Sequence, residues 1–271
     1  MNEASPIPGD AGQGRPRATT ELFRGVGVAL VTIFADDGEI DPGATGKLAG
    51  DLVARGMQAV LVCGSTGEAA TLTWPERVAL IEAVRGAVPP GIPVIAGTGA
   101  PSARQAAGLT GDAVDAGADA VLAFPPPGSR DLTGYYRAVA GAAGGRPVLA
   151  YHFLRVSAPG IPVDALAGLP VAGVKDSSGD PDRLLDELAH YRGATYVGSS
   201  AVLALAGPMG AAGAILALAN IEPERCVAAF AGDAAAQRAL ADRHLEARRG
   251  GPPMLKTVLA AEQGLPAGTR Q

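Results

Sequence analysis

Three of the 22 basic side chains in this 271-residue chain are lysines, Lys47, Lys175 and Lys256, and the rest are arginines. Lys175 holds the most unusual place. It closes the apolar run VAGVKD (171–176) and precedes the polar turn SSGD. An apolar strand end disfavours an ammonium, lowers its pKa and leaves free amine near neutral pH. A free amine can attack a carbonyl carbon and form a Schiff base. The protonated imine then draws electrons from the neighbouring carbon, so that a C–C bond forms or breaks through an enamine with no metal. The same position also fits a lysine that snorkels to solvent or pairs with Asp176 or Asp180.

Two further stretches can serve such chemistry. GSTGE (64–68) places the hydroxyls of Ser65 and Thr66 between Gly64 and Gly67. Glycines let backbone N–H groups approach a ligand, and such a turn suits a carboxylate. An ordinary strand-to-helix turn has the same composition. Tyr151, in LAYHF (149–153), offers a phenol that can carry protons to and from a carbinolamine. A tyrosine packed in a strand layer with its hydroxyl satisfied is the plainer use of that residue. His152 is its immediate neighbour and faces the other side of the strand.

These residues need elements that bring them to one place. The runs 25–34, 59–64, 93–98, 120–125, 147–153, 171–176, 195–199 and 213–218 are almost continuously apolar. That is the pattern of parallel strands covered on both faces. Helix starts separate them. Asp41-Pro42 and Asp180-Pro181 read as an N-cap followed by proline at the first helical position. TWPE (73–76) and SARQ (102–105) read as capping boxes. Leu184, Leu185 and Leu188 repeat at helical spacing, as do Val78, Ile81 and Val84. Eight strand–helix units in one run predict a (β/α)8 barrel, an α/β TIM barrel, with additional C-terminal helices beyond about residue 222. A doubly wound sheet would want a glycine-rich nucleotide turn after its first strand, and TIFADDGEID is none. In a barrel, Lys175, Tyr151 and GSTGE all fall where strands end, at one mouth.

Composition narrows the setting. The net charge of −5 and the lack of a basic cluster argue against nucleic-acid and membrane-surface partners. Two cysteines, Cys63 and Cys226, are too few for a disulfide framework and fit no zinc spacing, so a cytoplasmic location is expected. Residues 1–20 carry no apolar signal segment and read as a disordered tail. Residues 21–221 are read as the barrel, and 222–271 as its last helix plus a helical extension. The uncharged stretch from 197 to 221 is long enough to cross a bilayer, but GPMG interrupts it, and strand, helix, turn, strand is the reading adopted.

Taken in order, GSTGEAATLTWPER (64–77), PVIAGTGA (93–100), LAYHF (149–153), GVKDSSGD (173–180) and GAILALAN (213–220) resemble the family of dihydrodipicolinate synthase and N-acetylneuraminate lyase. The resemblance runs from about Gly25 onward. It implies Lys175 as the lysine that forms a Schiff base with pyruvate or a related 2-oxo acid, and Tyr151 as the proton-shuttling tyrosine. It also implies that Ser65 and Thr66 hold the 2-oxo acid carboxylate and that the carbonyl near Ile215 lines the pocket. Substrate-binding positions on this reading are Gly64, Gly67, Arg155, Ile215 and Ser199. The imine replaces any separate cofactor, no metal is expected, and the assembly implied is a homotetramer or homodimer. Many members end the fourth strand in Pro-Tyr-Tyr, whose second tyrosine relays protons across a subunit interface. Here FPPPGSR (124–130) puts Pro126 and Pro127 at those places.

The function expected is a class I lyase acting on a 2-oxo acid and an aldehyde, with a 4-hydroxy-2-oxo acid or 2-keto-3-deoxy sugar acid as candidate substrates. True dihydrodipicolinate synthesis and Schiff-base dehydration of a sugar acid are the enzymatic alternatives. A barrel that binds a 2-oxo acid without turning it over is the alternative of another class.

Overall fold

The computed structural model describes residues 21–270, so the expectation for residues 1–20 lies outside the described residues. Eight parallel strands close into a barrel in sequence order: β1 (Gly25–Ala29), β2 (Val60–Val62), β3 (Val94–Gly97), β4 (Ala120–Ala123), β5 (Val148–His152), β6 (Gly173–Asp176), β7 (Ala194–Val197) and β8 (Gly213–Leu216). β1 pairs with β8 in the register Val26↔Ala214 and Gly27↔Ile215, which completes the ring. Helices follow the strands: α1 (Pro42–Ala54), α2 (Trp74–Ala87), α3 (Ala103–Asp115), α4 (Leu132–Ala142), α5 (Val163–Leu166), α6 (Pro181–His190), α7 (Leu203–Ala206) and α8 (Pro223–Phe230). Two more, α9 (Ala234–Ala239) and α10 (Ala241–Gln263), pack beyond the ring. No described helix is long and apolar enough to cross a membrane.

The two-faced apolar strands account for this arrangement. Val60 and Val62 of β2 point outward to the helices, with Val94, Val121, Val148, Val174 and Val197 in the same layer. Their neighbours Leu61, Ile95, Leu122 and Leu149 point inward and fill the barrel. One face would leave a row of valines in water; the helices remove it at about 25 cal/mol per Å² of apolar surface. At the bottom of the barrel Tyr196 stacks on Phe23 at 4.7 Å, and its hydroxyl donates to the Phe23 carbonyl at 3.1 Å.

Most helix starts match their caps. Asp41 accepts from the Ala44 amide, and Thr73 and Glu76 form the reciprocal capping box. Asp180 accepts from the Asp182 amide. Ser102 accepts from the Gln105 amide, but Gln105 bonds the Ser102 hydroxyl rather than its backbone, so SARQ is a half box. Leu185 is exposed, while Leu184 is buried and Leu188 half-buried. The first strand ends at Ala29 rather than Phe34. Beyond it the Val31 amide donates to Asn220 Oδ1 and the Ile33 amide to Thr45 Oγ1, so side chains replace the ladder.

Candidate active site

Strands β5 and β6 pair with Tyr151 opposite Lys175 and His152 opposite Asp176. Side chains alternate across a strand, so Tyr151 and Lys175 share the inner face at the mouth, and His152 and Asp176 share the outer one. Lys175 is 4 % exposed, and its Nζ sits 4.6 Å from the centre of the Tyr151 ring. Burial brings its pKa down to about 7, and no neighbouring charge opposes the shift. The lysine therefore neither reaches solvent nor pairs with Asp176. That carboxylate accepts from the Ser178 amide and hydroxyl, both at 2.8 Å, on the other side of β6.

Outer-face groups complete the support. The Ile161 amide donates to His152 Nδ1 at 3.0 Å, and burial, with Arg183 nearby, lowers the imidazole pKa. Arg183 lies 3.6 Å from Asp176 and 2.9 Å from Glu187. Burial, with the Asp176 carboxylate nearby, outweighs Arg183 and pushes the Glu187 carboxyl up to about 8.

The GSTGE turn is entered and left through left-handed backbone, at Cys63 (φ 54°) and Glu68 (φ 55°). Non-glycine residues there carry strain of order 1–3 kcal/mol, so surrounding bonds must hold them. They do. Amides of Gly67 and Ala69 donate to the Gly64 carbonyl, and that of Glu68 to Ser65. Buried Glu68 pairs with buried Lys256 of α10 at 2.5 Å and accepts from the Arg270 amide at 2.9 Å. A helix 188 residues away in sequence thus clamps the turn.

A cavity of about 1440 Å³ opens at the mouth. Lys175, Tyr151, Gly64, Ser65, Thr66, Ser199, Ile215 and Arg155 all line it. Gly67 does not: its carbonyl accepts from Thr32 Oγ1 at 2.7 Å, toward β1. Ser199 also caps the turn after β7 by accepting from the Ala201 amide. Arg155 is exposed and donates to the Arg248 carbonyl of α10 at 3.2 Å. Pro126 and Pro127 stand on the wall without hydroxyls.

Two features escaped the sequence reading. Ser177, inside SSGD, lines the cavity and donates to the Tyr151 hydroxyl at 3.4 Å. A lysine followed by a polar turn was the available signal, but SSGD reads equally as a plain helix-capping turn. The second is α10, which kinks at Gly251 (φ 57°) before Pro252 and Pro253 and brings Arg248, Arg249 and His244 to the cavity wall. The kink is signalled by GGPP, but its destination is not.

The Tyr151 hydroxyl is held by Ser177 and Ser65, and burial raises its pKa, so it stays protonated at neutral pH. An amine with a pKa near 7, a protonated phenol and two serine hydroxyls around one cavity floor can convert a ketone to an imine. Comparison with known proteins places the chain among its relatives. The chain is 35% identical over 235 residues to a 4-hydroxy-tetrahydrodipicolinate synthase of Pseudomonas aeruginosa, covering 82% of this chain and 80% of the relative. A relative of the same name from Synechococcus is 43% identical over 128 residues, a match that spans 46% of this chain and 42% of the relative's length. Among solved structures, the chloride-inhibited dihydrodipicolinate synthase of Acinetobacter baumannii in complex with pyruvate superposes with a TM-score of 0.83 at 28% identity, covering 92% of this chain and 91% of that one. The dihydrodipicolinate synthase of Aquifex aeolicus gives 0.81 at 28% identity, with 92% and 91% covered. The family model described as the Dihydrodipicolinate synthetase family matches residues 22–249, and the chain belongs to that family.

Proposed function

We propose that the protein is a class I lyase that binds pyruvate or a related 2-oxo acid as a Schiff base on Lys175 and joins it to, or splits it from, an aldehyde. One observation carries the reading: a buried lysine with no ionic partner among the described residues and a pKa near 7, facing a phenol at a barrel mouth.

The steps follow from the groups present. The 2-oxo acid carboxylate sits on the turn of Ser65 and Thr66, where hydroxyls and strained backbone converge. Lys175 attacks the ketone carbon, and its proton passes to the oxygen as the carbinolamine forms. Tyr151 protonates that oxygen, water leaves, and the iminium remains. Loss of a proton from the methyl carbon gives the enamine, which adds to the aldehyde carbon. Cleavage is the reverse. The iminium is the electron sink, so the chain's own lysine supplies the chemistry.

The acceptor half of the cavity is bordered by Arg155, Arg248 and Arg249, and among the described residues none of the three forms an ion pair. An aldehyde with an anionic end suits that rim. Dihydrodipicolinate-type synthesis is the second reading, favoured by the names of the relatives. Cytoplasmic homo-oligomers belong to the same proposal, with light scattering on the purified chain as their check.

The test is incubation with pyruvate and borohydride, followed by mass spectrometry. An adduct at Lys175 is expected. No adduct with several 2-oxo acids removes the reading. Condensation assays with acidic amino aldehydes and hydroxyaldehydes then separate the synthase from the sugar-acid aldolase.

A further inference from the structure

We propose that Ser177 and Tyr151 form a proton relay contained in one subunit, with Ser177 as a catalytic residue that passes protons between the cavity water and the Tyr151 hydroxyl. The inference rests on the lyase reading above and goes beyond it.

Imine formation consumes one proton from solvent: amine, ketone and proton give iminium and water. Lys175 and Tyr151 border the cavity but are only 4 % and 6 % exposed, so a hydroxyl that reaches further into the cavity shortens the proton's path to them. Ser177 spans the boundary. It is half-buried, borders the cavity, and places Oγ 3.4 Å from the Tyr151 oxygen. That is long for a hydroxyl pair, as catalytic hydrogen bonds often are before substrate enters. Ser65, in the turn after β2, meets the same phenol. The facing wall offers Pro126 and Pro127, which can carry no proton.

The position of Ser177 is built. Its amide donates to the His152 carbonyl at 2.9 Å. The next residue, Ser178, is tied to Asp176 through both amide and hydroxyl, which fixes the turn. Across from it Gly198 follows β7. A methyl group there would collide with Ser177 Oγ and stand 3.0 Å from Lys175 Cε. The glycine leaves the room in which the hydroxyl reaches Tyr151. Each transfer is a hop: Tyr151 gives its proton to the carbinolamine oxygen, takes one from Ser177, and Ser177 takes one from water. No group changes its net charge over the cycle.

The experiment times borohydride trapping of pyruvate on Lys175 and exchange of the pyruvate methyl protons in deuterium oxide. Ser177→Ala is expected to slow both by about 10- to 100-fold, in the lower range of general acid–base contributions. Ser177→Thr restores them, and the equilibrium affinity for pyruvate stays within about twofold. On the intact wild type, the trapping rate is expected to curve with deuterium fraction, as a multi-proton transfer does. An alanine variant that traps and exchanges at the wild-type rate, or a linear deuterium dependence, overturns the relay while the Lys175 adduct stands. Absence of the adduct in the wild type overturns the lyase reading itself, and the relay with it.

Discussion

Replacing Lys175 with methionine is expected to stabilise the protein while abolishing Schiff-base formation. The two side chains are similar in volume, so packing changes little. The ionisation changes greatly. Burial moves the lysine from 10.5 to about 7. At about 1.4 kcal/mol per unit this amounts to about 5 kcal/mol carried by the folded state when the amine is charged. The folded pKa lies below the unfolded one, so the unfolded chain holds more protons between pH 7 and 10.5. Stability therefore rises with pH across that window, and the cost is full below pH 7 and gone above 10.5. Lys175→Met removes both the cost and the slope.

Denaturant melts of the two proteins at pH 6, 8 and 10 test this. Subtracting the wild-type stability from the variant's cancels Glu187, Cys63 and Cys226, which titrate in overlapping ranges. The difference is expected to approach 5 kcal/mol at pH 6 and to shrink toward zero by pH 10. In parallel, trapping of pyruvate by the wild type rises through about pH 7 and levels off as the free amine becomes the main form. A variant no more stable than wild type at pH 6, with a difference that does not change with pH, refutes a desolvated lysine.

The other expected outcomes concern its surroundings. Lys256→Met leaves Glu68 buried without its partner and costs about 3–5 kcal/mol in a urea melt. Adding Glu68→Gln recovers much of that loss, and a single variant as stable as wild type would show that the pair does not clamp the turn. Glu187 is pushed up to about 8 by burial, so the folded state holds its proton longer than the unfolded chain and stability falls as pH rises from 4.5 to 8. Glu187→Gln flattens that segment of the stability profile; an unchanged profile would mean that Arg183 keeps the carboxylate ionised. Gly198→Ala forces a methyl against Ser177 and Lys175, with about 1–3 kcal/mol of overpacking and slower trapping of pyruvate expected. Normal trapping by that variant would show that the β7 end yields freely.

Local pattern carried the barrel and half of the site. The eight apolar runs, the caps at Asp41, Thr73 and Asp180, and the strand-end places of Lys175 and Tyr151 all depend on residues within a few positions of one another. Contacts across the chain left no such trace. Lys256 was one of three lysines and sat in a helical pattern, yet its partner is Glu68 in the GSTGE turn. Arg248 reaches the cavity because Gly251 bends α10, and GGPP tells of a bend without telling where it leads. The first strand read too long because Val31 and Ile33 look like ladder residues. Only Asn220 and Thr45, brought in by the fold, take their amides away.

The dipeptide Lys175-Asp176 makes the same point about charge. In sequence it looks like an ion pair, and an ion pair would hold the lysine protonated and useless as a nucleophile. The pleat of β6 sends the two side chains to opposite faces. The carboxylate is spent on Ser178 and lies near Arg183, and the amine keeps only the Tyr151 ring. An aromatic face attracts a cation more weakly than a carboxylate does, so burial wins and the amine is free near pH 7. The same aspartate, from behind the strand, holds the turn that presents Ser177 in front of it. Adjacent opposite charges here divide the labour of the site because a strand has a period of two.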